Sequence, residues 1–540
     1  MIPQTTRRDP RHRGLLAALL CAGAAFAALQ LAGCAAAPAR TRPAHDETAQ
    51  AGLPVLRTND ILWLNRLSYG ITTQTLRDYQ RLGRGAFLAQ QLRDAQDPES
   101  GDARLPREIA TQIDGLEVTR LDPVQTLQRV AGEYRRINAL PDGEAKEQAR
   151  KSLNEEGNRM AYQARRRELL RAIYSPDQLR EQLVAFWLNH FSVFEYKGNL
   201  RWLIGDYAEH AIRPHVLGHF RDLVLSTLTH PAMLQYLDNA QNAAGHVNEN
   251  YARELMELHT LGVDGGYTQQ DVQNLARILT GAGIYNGGEP SRLRREWQDL
   301  YRRDGAFEFN PARHDFGDKT LLGQRVAGRG YAEVEQAVDL LVRSPACARF
   351  ISRQLATYFV ADAPPPALVD RLAQRFRATD GDLAAVMATL LASPEFNASL
   401  GGKFKDPRQY VVSALRLAYD GRPIANTHPP VNWLNSMGEA QFGRPTPDGY
   451  PDSEASWASS GQMARRFEIA RAIGSGSAGL FEPEDGGGAA QGGFPQLTRR
   501  FYFDALEPLL SASTRHALDQ ANSQQEWNTF LLSSPEFSAR

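Results

Sequence analysis

The stretch from residue 185 to residue 283 holds the densest group of side chains that could carry out chemistry. Asparagine, aspartate, glutamate and histidine are concentrated there around short predicted helices. Such side chains can hold a hard cation or transfer a proton. The candidate catalytic residues are Asn189, His190, Asp238, Asn250, Arg253, Glu254, Glu257 and His259. They predict a polar site, provided that the fold brings them to one cleft.

Two of these carboxylates are also candidate metal ligands. The sequence predicts a helix over residues 249–261, and at about 100° per residue Asn250, Glu254 and Glu257 share one of its faces. Paired carboxylates and an amide could bind Ca²⁺ or Mg²⁺, or act as an acid and a base. Ion pairing is the alternative, because Arg253 stands four residues from a glutamate on either side.

The histidines do not form a recognised metal motif. His259 falls on the opposite side of the predicted helix from Glu254, so the two could not bind one ion from a regular helix. A hydrogen-bonded core histidine is the alternative role for His259. His190 ends an apolar helix, where it could cap the carboxyl end or enter a site.

Helices must position these residues, because apolar side chains recur at helical spacing over most of the chain after residue 56. We therefore expect a mainly α fold, with a large multi-helical body. A small β-hairpin is expected near residues 305–326, where Phe307-Glu308-Phe309 alternates and a turn follows. Residues 421–462 are rich in Pro, Gly, Asn and Trp and predict an irregular C-terminal loop region.

The N-terminus has the features of a lipoprotein signal peptide. Four arginines precede an apolar, alanine-rich stretch, and Leu31-Ala32-Gly33-Cys34 resembles the bacterial lipobox. A short transmembrane anchor is the alternative. We expect a signal peptide over residues 1–33, a lipid on Cys34 and a tether over residues 34–55. A single helical domain would then occupy residues 56–540.

Composition excludes several classes of protein. The 540 residues include 61 basic and 62 acidic side chains, and their formal net charge of −1 gives no field that would attract nucleic acid. Loss of residues 1–33 would make the net charge −4. The three cysteines exclude a disulfide scaffold. With Cys34 carrying lipid, Cys347 would be a lone thiol of the core.

The chain resembles the bacterial family called "domain of unknown function 1800" over roughly residues 60–540. The motifs that carry the resemblance are Phe186-Trp187-Leu188-Asn189-His190-Phe191, Asp238-Asn239, the run from Asn248 to Tyr267, His314-Asp315 and the Gly443 to Pro451 loop before Trp457. The resemblance implies an exported protein, often encoded beside a sulfatase-like partner family. It implies no particular activity.

Two functions follow as hypotheses. The first is an exported lipoprotein enzyme, such as a metal-assisted hydrolase that acts on envelope or extracellular material and uses a divalent metal. The second is a non-catalytic lipoprotein that binds or scaffolds an exported sulfatase-like partner. In both, Cys34 would anchor the protein to a membrane of the cell envelope, outside the cytoplasm.

Overall fold

A computed structural model describes residues 56–97, 100–285, 287, 293–484, 493–499 and 502–540. The described residues all belong to one compact unit. The predicted signal peptide, the lipidated Cys34 and the tether lie outside the described residues, and they stay predictions. Among the described helices, none combines the length and the apolar character that a membrane crossing needs.

Helices dominate the described chain, as the apolar spacing predicts, and serine, threonine or aspartate often caps their first turn. Ser344, for example, accepts a hydrogen bond from the backbone nitrogen of Ala346, just before a first-turn proline. The α-helices up to residue 190 are Thr58–Leu67, Thr73–Gln96, Ser100–Ala103, Arg107–Asp114, Pro123–Asn138, Glu144–Tyr174 and Gln178–His190. Those of the middle part are Ile204–Asp206, Phe220–Thr229, Pro231–Tyr236, Asn250–Glu254 and Gln269–Ile278.

The C-terminal part is built in the same way. Its α-helices are Tyr331–Val342, Pro345–Phe359, Pro366–Ala378, Leu383–Leu391, Pro394–Ala398, Pro407–Tyr419, His428–Ser436, Glu454–Trp457, Ser460–Ser475, Ala512–Asp519 and Gln524–Leu532. π-Helical segments occur at Tyr207–Ile212, Leu255–Thr260 and Tyr502–Leu506. Short 3₁₀ turns lie at Glu117–Thr119, Leu200–Trp202, Arg213–His215, Asn239–Gln241, Arg295–Leu300, Pro311–Arg313 and Glu507–Leu509.

The predicted mainly α fold with a small hairpin is confirmed, and the hairpin region contains two small sheets. Ala282–Ile284, Phe307–Phe309 and Arg302–Asp304 form an antiparallel sheet in that order. Lys319–Leu321 pairs with Gln324–Val326 in a second sheet. Leu322 and Gly323 join this pair with φ angles of 49° and 75°, as a tight two-residue hairpin turn requires.

The predicted irregular region at residues 421–462 is helical in part. The helix His428–Ser436 lies within it, and Glu454–Trp457 and the start of Ser460–Ser475 follow. The stretch between them, residues 437–453, has no helix or strand. We call these residues the wall loop, because they form one side of the cavity described below.

A buried group of ion pairs joins the long helix Glu144–Tyr174 to its neighbours. Arg213 donates to Glu168 at 2.7 Å and to Glu181 at 2.8 Å, and all three side chains are almost fully buried. Burial alone would raise the pKa of the Glu168 carboxyl, but the guanidinium groups of Arg213 and Arg171 outweigh it and lower that pKa to about 2. The buried Glu168 carboxyl therefore stays ionised because of its arginine partners.

Arg213→Met should lower the free energy of unfolding by about 3–5 kcal/mol, because it leaves the buried Glu181 carboxylate without its ion-pair partner and removes one of the arginines that pair with Glu168. The control is Arg221→Met, since Arg221 and its partner Asp339 are both about one-third exposed and such a pair contributes at most about 1 kcal/mol. Urea unfolding measures both variants. Equal losses in the two variants would contradict this account of the buried group.

The ion pairs of Glu168 also make the stability of the fold depend on pH in acid. Because the folded-state pKa of Glu168 is about 2 and its ordinary value is 4.5, its contribution to stability is complete above pH 4.5 and is lost as the pH falls toward 2. Unfolding curves of the wild type and of Glu168→Gln should therefore converge in acid. A constant difference between pH 7 and pH 3 would contradict the assignment.

Candidate functional site

A cavity lies between the carboxyl end of the helix Gln178–His190 and the wall loop. Ala185, Leu188 and Phe442 supply its apolar lining. Its polar lining comes from Asn189, Ser192, Arg408, Glu439, Gln441, Arg444 and Tyr450. A few polar groups in a partly apolar concavity are the usual composition of a ligand site.

Asn189 fixes the wall loop to the end of this helix. Its Nδ2 donates to the carbonyl oxygen of Tyr450 at 2.9 Å, and its Oδ1 accepts from the Tyr450 backbone nitrogen at 2.7 Å. Gly449 precedes this contact with a φ of +71°, and a Cβ atom there would lie 2.4 Å from the Asn189 carbonyl oxygen. Only glycine permits this close approach of loop and helix.

Glu439 is the carboxyl group of the cavity. Its burial raises its pKa well above the ordinary value, and the nearby carboxylate of Asp406 adds to the rise. Its Oε2 accepts a hydrogen bond from the backbone nitrogen of Arg408 at 2.8 Å, and the Arg408 guanidinium opposes the rise. The pKa of Glu439 is thus shifted in the direction that favours the protonated carboxyl, which can donate a hydrogen bond or a proton.

Asp406 and Asp452 are carboxyl residues that lie near Glu439 without lining the cavity, and both act on its pKa. Burial raises the pKa of Asp452 to about 6, with a further contribution from Asp406. Asp406 caps the helix Pro407–Tyr419 by accepting from the backbone nitrogen of Gln409 at 2.6 Å. Carboxyl groups with separated pKa values in one place are the arrangement that lets one act as an acid and another as a base.

Two arginines bring positive charge to the same cavity. Arg408 donates through Nη1 to Gln441 at 3.1 Å and through Nε to the Tyr69 hydroxyl at 3.2 Å. Arg444 forms a bidentate pair with Asp448 on the wall loop. The buried Nε2 of Gln441 has no hydrogen-bond partner among the described residues. The cavity thus offers donors to a ligand that is rich in acceptor oxygens.

Asp238 and Asn250 lie on the surface near Lys197. The Lys197 amine contacts Asp238 Oδ1 at 2.8 Å, and Asn250 Nδ2 donates to the carbonyl oxygen of Leu237 at 3.2 Å. Asn250 also approaches Asp238 Oδ2 at 3.5 Å. Asp238 adopts a left-handed φ of 64°, so the backbone turns sharply at this point.

The acidic face of the predicted 249–261 helix is half-buried. Arg253 pairs with Glu249 at 3.0 Å, which is one of the two expected ion pairs. Burial and the neighbouring Glu257 carboxylate raise the pKa of Glu254. Within the part of the chain that the structure describes, no three His, Cys, Asp or Glu side chains are grouped to hold a metal ion. The metal role of Glu254 and Glu257 stays a prediction.

His190 and His259 lie together behind the cavity. Their ring centres are 6.0 Å apart, and the Nε2 of His190 lies 3.0 Å from the carbonyl oxygen of His259. Burial lowers the pKa of His190 to about 4 and that of His259 well below the ordinary value, so both rings are neutral at pH 7. Neither ring nitrogen of His259 has a hydrogen-bond partner among the described residues.

The helix around His259 is not a regular α-helix. It begins as Asn250–Glu254 and continues as the π-helical segment Leu255–Thr260. In a π-helix each backbone bond spans five residues rather than four, so the angle of about 100° per residue does not hold there. His259 is fully buried and Glu254 half-buried, so the two side chains have different surroundings.

The chain matches the model of one known protein family. A family model described as "Protein of unknown function (DUF1800)" matches residues 62–539. The chain belongs to the DUF1800 family. No curated protein and no solved structure matches it. The resemblance read from the sequence is thereby confirmed, while the chemistry of this DUF1800 chain must be argued from its own residues.

The structure places one predicted catalytic residue, Asn189, on the cavity of this DUF1800 chain, together with residues that the sequence analysis did not select. Arg408, Glu439 and Asp452 are separated from Asn189 by more than 200 positions, and no helical or strand period connects them. One signal was available, because the Gly443 to Pro451 loop is among the motifs that resemble the family. That loop belongs to the cavity wall.

Asn189→Ala should loosen the wall loop, because both hydrogen bonds to Tyr450 are lost. Breaking them should cost roughly 1–3 kcal/mol locally, which corresponds to about a 5- to 150-fold rise in amide exchange. Hydrogen exchange with mass spectrometry on peptides covering residues 439–453 measures the change. Asn435→Ala, at an exposed position on the neighbouring helix, is the control. Unchanged exchange in Asn189→Ala would contradict the assigned role.

Proposed function

We propose that this protein is an exported acid–base hydrolase that acts on envelope or extracellular material, with its site in the cavity that holds Glu439. The observation that carries the proposal is a cavity carboxyl group, Glu439, whose pKa is raised well above its ordinary value beside two arginines of the same lining. Such groups are concentrated at catalytic sites, because a proton donor at pH 7 needs a raised pKa.

The roles follow from the charges. Glu439 donates a proton to the leaving oxygen of the substrate. Asp452, with a pKa of about 6, is mostly ionised at pH 7 and accepts a proton from the attacking water. Arg408 and Arg444 contact acceptor oxygens of the substrate, and Asn189 holds the wall loop against them. A hydroxyl-rich or anionic polymer is the substrate class that fits these donors.

A metal-assisted version of this hydrolase is a second form of the proposal. Glu254 and Glu257 repel one another strongly enough to contribute to the raised pKa of Glu254, and a divalent cation would relieve that repulsion. The Asp448 carboxylate of the wall loop acts on Glu254 in the same direction. A cation at this position would therefore lie beside the same loop as the Glu439 cavity.

Glu439→Gln should lower the turnover of the hydrolase by about 10²–10⁴-fold, because the amide keeps the shape of the carboxyl but cannot release its proton. The wild-type rate should fall as the pH rises through the raised pKa of Glu439, because the acid form is lost. Chromogenic glycosides and esters, together with labelled envelope polymers, form the assay panel. Failure of the wild type to hydrolyse any of them would argue against the enzyme.

Two further variants test the carboxyl assignment and distinguish the metal-free hydrolase from the metal-assisted one. Glu454→Gln removes an exposed carboxylate close to the wall loop and should leave turnover unchanged. Glu254→Gln, combined with metal analysis of the purified protein, tests the cation. Bound metal that disappears in Glu254→Gln, with lost activity, would favour the metal-assisted version over the metal-free one.

The proposed location is the cell envelope, with a lipid on Cys34 as the anchor. Cys34→Ser should move the protein from the membrane fraction to the soluble extracellular or periplasmic fraction, because the thioether that carries the lipid cannot form. Fractionation followed by mass measurement of the N-terminal peptide tests this. Unaltered membrane association in Cys34→Ser would contradict the lipid anchor.

A sulfatase-like partner is the alternative function, and exposed apolar side chains favour a contact surface. Tyr196 is 58% exposed and Val263 is 70% exposed, and both belong to the 185–283 stretch. If the protein is a scaffold, native membranes should yield the partner together with wild type and not with the Val263→Asp variant. Recovery of the protein alone would count against this function.

A further inference from the structure

One lysine of this chain has no acidic partner. The sequence contains six lysines, and the structure describes all of them. Five contact a carboxylate: Lys146 pairs with Asp142, Lys151 with Glu155, Lys197 with Asp238, Lys319 with Glu333 and Lys403 with Asp362. Lys405, which is only 5% exposed, forms no ion pair with any described residue.

Lys405 is also short of hydrogen-bond acceptors. Its Nζ donates to the hydroxyl of Ser413 at 3.1 Å and lies 3.9 Å from the ring centre of Phe537. An ammonium group has three donors, and Ser413 supplies the one acceptor among the described residues. A buried lysine in this condition is more stable as the neutral amine.

The amine faces a small apolar cavity. Leucines from three parts of the chain form much of its lining: Leu417, Leu506, Leu509, Leu510 and Leu531. Glu536 also lines it, but its carboxylate accepts from the Ser511 backbone nitrogen at 2.8 Å and the Thr514 hydroxyl at 2.8 Å. The cavity shares no lining residue with the Glu439 cavity.

The charged groups around Lys405 also favour the neutral amine over the ammonium ion. Burial and the guanidinium groups of Arg466 and Arg540 together lower the pKa of Lys405 to about 7, against the opposing effect of the Asp406 carboxylate. An ordinary exposed lysine has a pKa near 10.4, so at pH 7 about 0.04% of it is neutral. About half of Lys405 is neutral at that pH, a difference of about 10³-fold.

We infer that Lys405 is a nucleophilic amine that binds small apolar aldehydes or ketones as a Schiff base in this leucine-lined cavity. A desolvated lysine beside other cationic groups is a known way to obtain such a nucleophile. The inference is independent of the proposed hydrolase, because it concerns another cavity and another reaction.

The reaction is balanced without an oxidant or a reductant. The Lys405 nitrogen adds to the carbonyl carbon, and a proton moves from nitrogen to the carbonyl oxygen to give a carbinolamine. The C–O bond then breaks, the second amine proton leaves with the oxygen, and one water is released as the C=N bond forms. Addition of water reverses the sequence and returns the carbonyl compound.

Trapping with a reductant tests the inference on the full chain. The protein is incubated at pH 7 with hexanal and cyanoborohydride, and the modified lysines are located by peptide mass mapping. Lys405 should be alkylated at least about 10-fold faster than the exposed Lys151, since its larger neutral fraction outweighs its restricted access. Its labelling should increase through pH 7, whereas that of Lys151 should increase above pH 9.

Variants and a second aldehyde make the result specific. Lys405→Arg keeps the charge but cannot form an imine, so it should lose only this modification; circular dichroism checks that it is folded. Glyoxylate, which is small but anionic, should label Lys405 more slowly than hexanal does. Slower labelling of Lys405 than of Lys151, or faster reaction with glyoxylate than with hexanal, would overturn the inference.

Discussion

Buried guanidinium groups connect the ends of helices that are far apart in the sequence, and much of the fold depends on these connections. Arg66 donates to the carbonyl oxygens of Phe359 at 2.7 Å, of Ser399 at 2.6 Å and of Arg540 at 2.6 Å. The last turn of a helix leaves carbonyl groups without partners, and a buried one costs about 1–3 kcal/mol if it stays unpaired. One side chain here satisfies several of them.

The same interaction surrounds both cavities. Arg540 donates to Gln182 on the helix that ends at the Glu439 cavity, and Arg466 donates to the carbonyl oxygen of Lys405 beside the leucine-lined cavity. The positive charge of these groups stabilises carboxylates and destabilises ammonium ions in their surroundings. The buried Arg466 and Arg540 that help to hold the fold together therefore also lower the pKa of Lys405.

Local patterns predicted the helices of this chain much better than its site. Apolar periodicity and capping residues were sufficient for the helical body, because each depends on a few neighbouring positions. The wall loop could not be recognised as part of a cavity, since its place depends on two hydrogen bonds between Asn189 and Tyr450, 261 positions apart. Glu439 and Lys405 are ordinary residues in the sequence, and their shifted pKa values come from burial and from charged neighbours that only the fold brings close.

The 249–261 helix is a second case in which the sequence predicts an element but not its detailed geometry. Its existence and its end at Gly262 follow from the sequence, whereas the angular argument assumes a regular α-helix that residues 255–260 do not form. The π-helical segment does not follow, because no local propensity distinguishes it from an α-helix. It is set by packing, including the contact of Gly262 with the ring of Phe350, where a Cβ atom would lie 2.8 Å from the ring.

This π-helical segment has a consequence for the tolerance of the chain to changes of length. A π-helix turns by about 80° per residue and an α-helix by about 100°, so six π-helical residues turn the chain through nearly the same angle as five α-helical ones. Removing one residue between Leu255 and Thr260 would therefore restore ordinary α-helical hydrogen bonding and leave Gly262 close to its place beside Phe350. This segment can lose one residue, as a surface loop can, although most of its side chains are buried.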